Sequence, residues 1–143
     1  NPEELFIDCY PHTSLTPHEG EFKKIFGNEI AEIDDRVLKT KEASIKSNTT
    51  VVLKGANTII ASPSGDVVIN KSSATYLATA GSGDVLAGII TSLVGKNKMN
   101  AFDAACAGVW LHSEIGTILG AGLIAEDIID LIPVTVKKLL KMR

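Results

Sequence analysis

The sequence has 143 residues, 45% hydrophobic and 22% charged, enough for one globular domain or a large piece of one. Aromatic residues make up only 5%, so a core would rest on Ile, Leu, Val and Ala. A net charge of −3 without a basic stripe argues against a nucleic-acid surface, and no apolar stretch reaches the roughly 18 residues of a membrane span.

Two cysteines, Cys9 and Cys106, form no CxxC and no zinc spacing. Cys106 falls in an apolar helical pattern and reads as a small buried hydrophobe. No secretory signal is read, so the expected compartment is the cytoplasm, and the Asn-x-Ser/Thr triplets at Asn48 and Asn70 read as accidental. The first residue is Asn rather than Met, which points to processing or to a piece of a longer chain.

In chain order, Leu5-Phe6-Ile7-Asp8 reads as a short strand. Glu19 to Phe26 reads as a helix with Phe22, Ile25 and Phe26 on one face and Gly27 as its stop. Asp34 to Lys46 reads as a surface helix with Val37, Leu38 and Ile45 inward. Val51-Val52-Leu53 suits a buried parallel strand. Thr58 to Ala61 and Val67 to Ile69 read as a hairpin joined by the five-residue turn Ser62 to Asp66. After Ala78 to Asp84, Val85 to Val94 is apolar almost all round and reads as a buried helix. Asn100 is the expected N-cap of a helix from Ala101 to Leu119, with Phe102, Ala105, Cys106, Val109 and Ile115 inward. A last helix, Glu126 to Met142, should kink or split at Pro133. Its Lys137, Lys138, Lys141 and Arg143 read as a solvated last turn that suits the helix dipole. This order is that of an α/β fold. Three or four strands are few for a doubly wound sheet, so an N-terminal half is expected to be missing or to lie on another chain.

Three segments could carry chemistry. Gly81-Ser82-Gly83-Asp84 opens an apolar helix, whose first N–H groups and positive dipole end form an anion hole. Asp84 at its rim is either a plain cap or a base that takes a proton from a hydroxyl attacking a phosphoryl group. The segment is neither a Walker A loop nor GxGxxG. Lys54-Gly55-Ala56-Asn57-Thr58 follows a strand end, where open α/β sheets bind ligands. Lys54 could reach a phosphate there, or be the exposed residue of a β-turn. In Thr16-Pro17-His18-Glu19-Gly20-Glu21, His18 sits at a loop-to-helix junction and could cap or bond a ligand. His12 carries no signal. His112, in an apolar helix, reads as a satisfied packing residue.

Taken together with Ala107-Gly-Val-Trp-Leu-His112, these segments, in this order, resemble the ADP- or ATP-dependent NAD(P)H-hydrate dehydratases of the ribokinase-like superfamily. The resemblance runs from about residue 10 to the end. It implies a ribokinase-like sheet with flanking helices, of which this chain would be the incomplete, C-terminal portion. It also implies repair of hydrated NADH or NADPH by a disguised kinase reaction, with AMP (or ADP) and phosphate released. Lys54, Gly55, Ala56, Asn57 and Thr58 would hold the AMP part of the nucleotide, and Gly83 would touch it through its backbone. His18 and Asp84 would contact the hydrated cofactor, Asp84 as base, and Gly81, Ser82 and Gly83 would form the anion hole. Magnesium would be expected on the phosphates. Bacterial members generally use ADP and eukaryotic ones ATP. The family's domain is nearly twice this length, so the chain alone is expected to be inactive and to associate, as a homo-oligomer or with its missing half. A ribokinase-like kinase that leaves its substrate phosphorylated, and an inactive fragment, are the alternatives.

Overall fold

The structure, a computed structural model, describes residues 2–7, 9–10, 12–71 and 75–141. At its centre lies β2 (Thr50–Leu53), buried at every residue. Side chains alternate along a strand, and here both faces are covered. Val51 and Leu53 join Phe22, Phe26 and Ile30 of α2 (Glu19–Ala31) and Ala43 of α3 (Arg36–Ser47). Val52 turns the other way. It packs with Ile60 of β3 (Asn57–Ala61), with Leu86 and Ile90 of α4 (Ser82–Gly95), and with Ala104, Ala105 and Val109 of α5 (Ala101–Leu119).

The sheet is mixed, in the order β1-β2-β3-β4. β1 (Ser14–Leu15) runs parallel to β2, with Leu15 opposite Val51. β2 and β3 are antiparallel, with Val52 opposite Ile60. β3 and β4 (Val67–Lys71) form the expected hairpin around Ser62 to Asp66. A further cluster, Ile89, Leu111, Ile115, Leu123 and Ile128, fastens α4 and α5 to α6 (Ala125–Leu140).

Several expectations need correction. Leu5 to Ile7 belongs to a helix, α1 (Pro2–Ile7), not to a strand, and Asp8 lies outside the described residues. A short apolar run does not distinguish the two states. Here the Phe6 ring stacks on Phe26 at 5.6 Å, a contact that only the tertiary fold supplies. Gly27 does break the helix begun at Glu19, with φ 75° and ψ 176°, but helical turns resume to Ala31 and bury Ile30.

The inward face of α3 is not the apolar one. Leu38 and Ile45 are 45% and 50% exposed, Val37 is half-buried, and Lys39, Thr40, Ala43, Ser44 and Ser47 are buried. Small hydroxyl side chains let the helix lie close against the sheet and satisfy themselves on backbone carbonyls. Ser44 Oγ donates to the carbonyls of Thr49 and Ala61, and Thr40 Oγ1 to that of Arg36 at 2.7 Å. The helix starts at Arg36 because Asp35 caps it, its Oδ1 accepting from the N–H groups of Val37 and Leu38.

Helix α4 does have a wet side: Gly88, Thr91, Ser92 and Gly95 are exposed. Helix α5 has the expected bounds, and Asn100 Oδ1 accepts from Asp103 N–H at 2.8 Å. Ala105, Val109 and Ile115 are buried as expected, but Phe102 and Cys106 are only half-buried against the same core. Partial burial and the neighbouring Asp103 push the Cys106 thiol up to about 11. Pro133 does not split α6. Both Pro133 and Ile129, whose carbonyl loses its partner, face solvent, where water can satisfy that carbonyl. Lys137 and Lys138 are exposed in the last turn, with Lys141 exposed just beyond it; Met142 and Arg143 lie outside the described residues.

Among the described residues, β1 lies at the edge of the sheet with β2 as its one neighbour. Beside it, His12, Thr13, Ser14 and Thr16 face Ala87, Ile90 and Val94 of α4 across an open cavity of about 330 Å³. Ile7 and Tyr10, close in sequence, are 82% and 73% exposed. An open edge beside bare apolar surface invites pairing. The chain should therefore associate as its concentration rises in size-exclusion chromatography with light scattering. A compact monomer at all concentrations would contradict this.

Candidate functional site

His18 is the N-cap of α2. Its Nδ1 accepts from the N–H groups of Gly20 (3.0 Å) and Glu21 (3.2 Å), while its own N–H donates to Glu21 Oε2 at 2.7 Å. This is a capping box with an imidazole in the usual hydroxyl's place. With Nδ1 accepting, the proton of the neutral ring sits on Nε2, 3.3 Å from Glu21 Oε1. The His18 backbone hydrogen bond, with help from Lys54, holds the Glu21 carboxyl below the usual range.

β2 ends at Leu53 and delivers Lys54 beside this cap. Lys54 N–H donates to Pro17 O at 2.9 Å, and its Nζ lies 3.6 Å from Glu21 Oε2. The ammonium also reaches the start of α4: a Cβ on Gly83 would come within 3.0 Å of it. Gly83 is thus a place where a missing side chain lets a cation approach a helix N-terminus.

Helix α4 begins at Gly81, its N-cap, which takes a left-handed φ of 81° against Ala125. Ser82 N–H is spent on Thr79 O (3.3 Å) and Asp84 N–H on Gly81 O (3.0 Å). The N–H of Gly83, at the second helical position, has no partner within the helix. An anion arriving here would meet this one donor, the dipole's positive end and the Lys54 ammonium. Asp84 is exposed in the first turn.

These pieces converge on a cavity of about 530 Å³. His18, Lys54, Gly55, Ala56 and Thr58 line one side, Ser82 and Gly83 another. Gly81, Asn57 and Asp84 do not line it, although each adjoins a residue that does. Leu77, Leu86 and Val109 supply an apolar wall.

His112 also lines the cavity, a placement its apolar helix did not suggest. Its Nε2 lies 2.9 Å from Ser82 Oγ and 3.0 Å from Ser82 O. The carbonyl can only accept, so Nε2 carries the proton. Burial, aided by the Lys54 charge and opposed by the Ser82 hydrogen bond, lowers the pKa of His112 and favours the neutral ring. Thr75 and Thr79, on the approach to α4, are further lining residues without a sequence signal beyond nearness to the glycines. Among the described residues, no group of three or more His, Cys, Asp or Glu could hold a metal, and no helix is long and apolar enough to cross a membrane.

The sequence model of the NAD(P)H-hydrate dehydratase family matches residues 4–132. The chain belongs to this family. It is 41% identical over 121 residues to the ADP-dependent (S)-NAD(P)H-hydrate dehydratase of Neisseria meningitidis serogroup B, which covers 80% of this chain and 40% of that relative. Similarity to a bifunctional NAD(P)H-hydrate repair enzyme of Gloeobacter violaceus is 44% over 109 residues, 76% of this chain and 21% of that one. The fold is similar to the ADP/ATP-dependent NAD(P)H-hydrate dehydratase of Bacillus subtilis, a structure co-crystallized with ATP and Mg2+. The TM-score is 0.77 at 32% identity, covering 87% of this chain and 47% of the other. The chain thus spans about half the length of that dehydratase structure, and less of the two relatives matched by sequence.

Neutral His112 gives this dehydratase-family chain a pH signature. Its folded-state pKa lies below the ordinary 6.5, so its contribution to stability is complete above pH 6.5. As pH falls further, the unfolded chain takes a proton that the folded one resists, and stability drops until the lower folded-state pKa is passed. His112→Gln should flatten this step in melting temperature against pH. An unchanged profile would show that another group titrates.

Proposed function

We propose that this chain is the C-terminal part of a ribokinase-like nucleotide-binding domain that restores NADH or NADPH from the hydrated forms at the expense of ADP or ATP. The observation that carries the reading is the meeting of Lys54, Gly83 and His18 in one cavity. Lys54 to Thr58 and Gly83 would bind the nucleotide, and His18 and Asp84 the hydrated nicotinamide.

The chemistry follows from where charge must move. Asp84 accepts the proton of the hydroxyl on the hydrated ring carbon. The hydroxyl oxygen attacks the terminal phosphoryl group, whose bond to the rest of the nucleotide breaks, releasing AMP from ADP or ADP from ATP. The ring nitrogen's lone pair then expels phosphate, and loss of a proton from the adjacent carbon restores the double bond. Gly83 N–H, the start of α4 and Lys54 would offset the charge on the transferring group. Magnesium fits a place on the nucleotide phosphates better than a protein cage, since it is commonly bound through substrate phosphates. It would add positive charge there.

Asp84 is suited to a base because it is exposed in the first turn of α4, directly after Gly83. Asp84→Asn, in the complete domain, should lower turnover by about 10²–10⁴-fold while ADP binding persists. The assay follows the return of NADH absorbance from hydrated NADH. Near-normal turnover would sink the assignment.

Lys54→Ala should weaken ADP or ATP binding more than binding of hydrated NADH, because the ammonium supplies a point charge to phosphate. Calorimetric titration with each ligand tests this, and equal losses would mean that Lys54 only supports the fold.

A further inference from the structure

Resting on this nucleotide reading, we propose that Arg36 is a positioning residue for nucleotide binding, which sets the Lys54–Asn57 turn from behind and never touches the ligand. Arg36 is the first residue of α3 and does not line the cavity. Its guanidinium nevertheless reaches across to the turn. Nη1 donates to Asn57 O at 2.7 Å, and Nη2 donates to Lys54 O at 3.3 Å. One planar fork thus grips the carbonyls at both ends of the turn, a geometry that a guanidinium offers and an ammonium does not.

The grip is anchored on its far side. Arg36 Nε donates to Glu19 Oε1 at 2.8 Å, and Lys39 Nζ donates to Glu19 Oε2 at the same distance. Burial alone would raise the Glu19 pKa, but hydrogen bonds and charge from Lys39 and Arg36 outweigh it and keep the carboxyl ionised to lower pH. Glu19 follows His18 directly, so the same clamp ties the His18 cap to the Lys54 turn.

Gly55 gives independent support. A Cβ there would lie 2.7 Å from Arg36 Nη2. A free side-chain end could step aside, but this one is held by Glu19, Asn57 and Lys54. The glycine therefore makes room for the guanidinium rather than for the ligand.

The test uses ADP as probe with the complete domain, unsubstituted and as Arg36→Lys and Arg36→Ala. Calorimetry gives the Kd, and melting with and without saturating ADP gives the ligand-induced shift. Arg36→Lys keeps the charge and most of the stem but loses the fork. Both variants should bind ADP about tenfold more weakly, since a turn no longer held by the fork must be ordered at the moment of binding. Their ADP-induced rise in melting temperature should shrink accordingly. A merely structural role would lower the melting temperatures with and without ADP alike and leave the shift intact. An intact shift in both variants, or normal ADP affinity in Arg36→Lys, overturns the proposal. No response to ADP in the unsubstituted complete domain overturns the nucleotide reading itself, and the proposal with it.

Discussion

Everything else in this chain depends on β2 being buried on both faces. Four residues separate two cores: Val51 and Leu53 on the side of α2 and α3, Val52 on the side of α4 and α5. A slip of one residue would send each side chain into the wrong core. The register opposite β3 is thereby constrained, and with it the point where the strand ends. That point is Lys54, which directly follows Leu53, the last buried residue of the strand. The ammonium's approach to Gly83 on one side and Glu21 on the other is a consequence of that strand, not of the loop after it.

Magnitudes separate the clamp behind the site from an ordinary stabilising ion pair. Glu19 is about half exposed, and exposed pairs contribute roughly 0–1 kcal/mol at most. Burial of Leu53 or Ile60 outweighs that, at about 1.5–3 kcal/mol for a fully buried aliphatic side chain. The Glu19–Arg36–Lys39 cluster is thus a weak source of stability and a strong source of geometry. It joins three elements distant in sequence at the back of one cavity. Lys39 is the most buried member, with its Nζ 5.7 Å from the centre of the Phe22 ring, so even this polar cluster is seated on the core.

Elements governed by local chemistry were legible in the sequence. Asn100 and Asp103 mark the start of α5 because a cap is made within four residues. The Ser62–Asp66 turn marks its hairpin for the same reason: Ser62, Ser64 and Asp66 bond one another. The readings that failed, or were never made, belong to contacts made at a distance. Phe6 joins α1 because Phe26 is there to stack on. β1 is two residues long and exists as a strand only beside β2. The apolar pattern of α3 pointed to Leu38 and Ile45, whereas the fold needed its hydroxyls, since the backbone carbonyls of Thr49 and Ala61 were waiting for donors. At the site, the three segments were legible as motifs. Arg36 was not, because its bonds reach 17 to 21 residues along the chain to groups of no special type.

The cavity also divides its charges in a way that motifs alone do not convey. Two histidines line it, but neither needs to be charged for its structural task. His18 Nδ1 is an acceptor for the first turn of α2, a role that protonation of that nitrogen would destroy. His112 is held towards neutrality by burial and by the Lys54 charge, and as a donor it ties α5 to the first residue of α4. Lys54 therefore supplies the formal positive charge among the lining residues, facing a helix N-terminus that adds to it. A cation beside the positive end of a dipole is an unfavourable pairing, and Glu21 at 3.6 Å works against it. An arriving anion would also relieve it. Under the proposed function, that repulsion would favour a negatively charged ligand in the cavity.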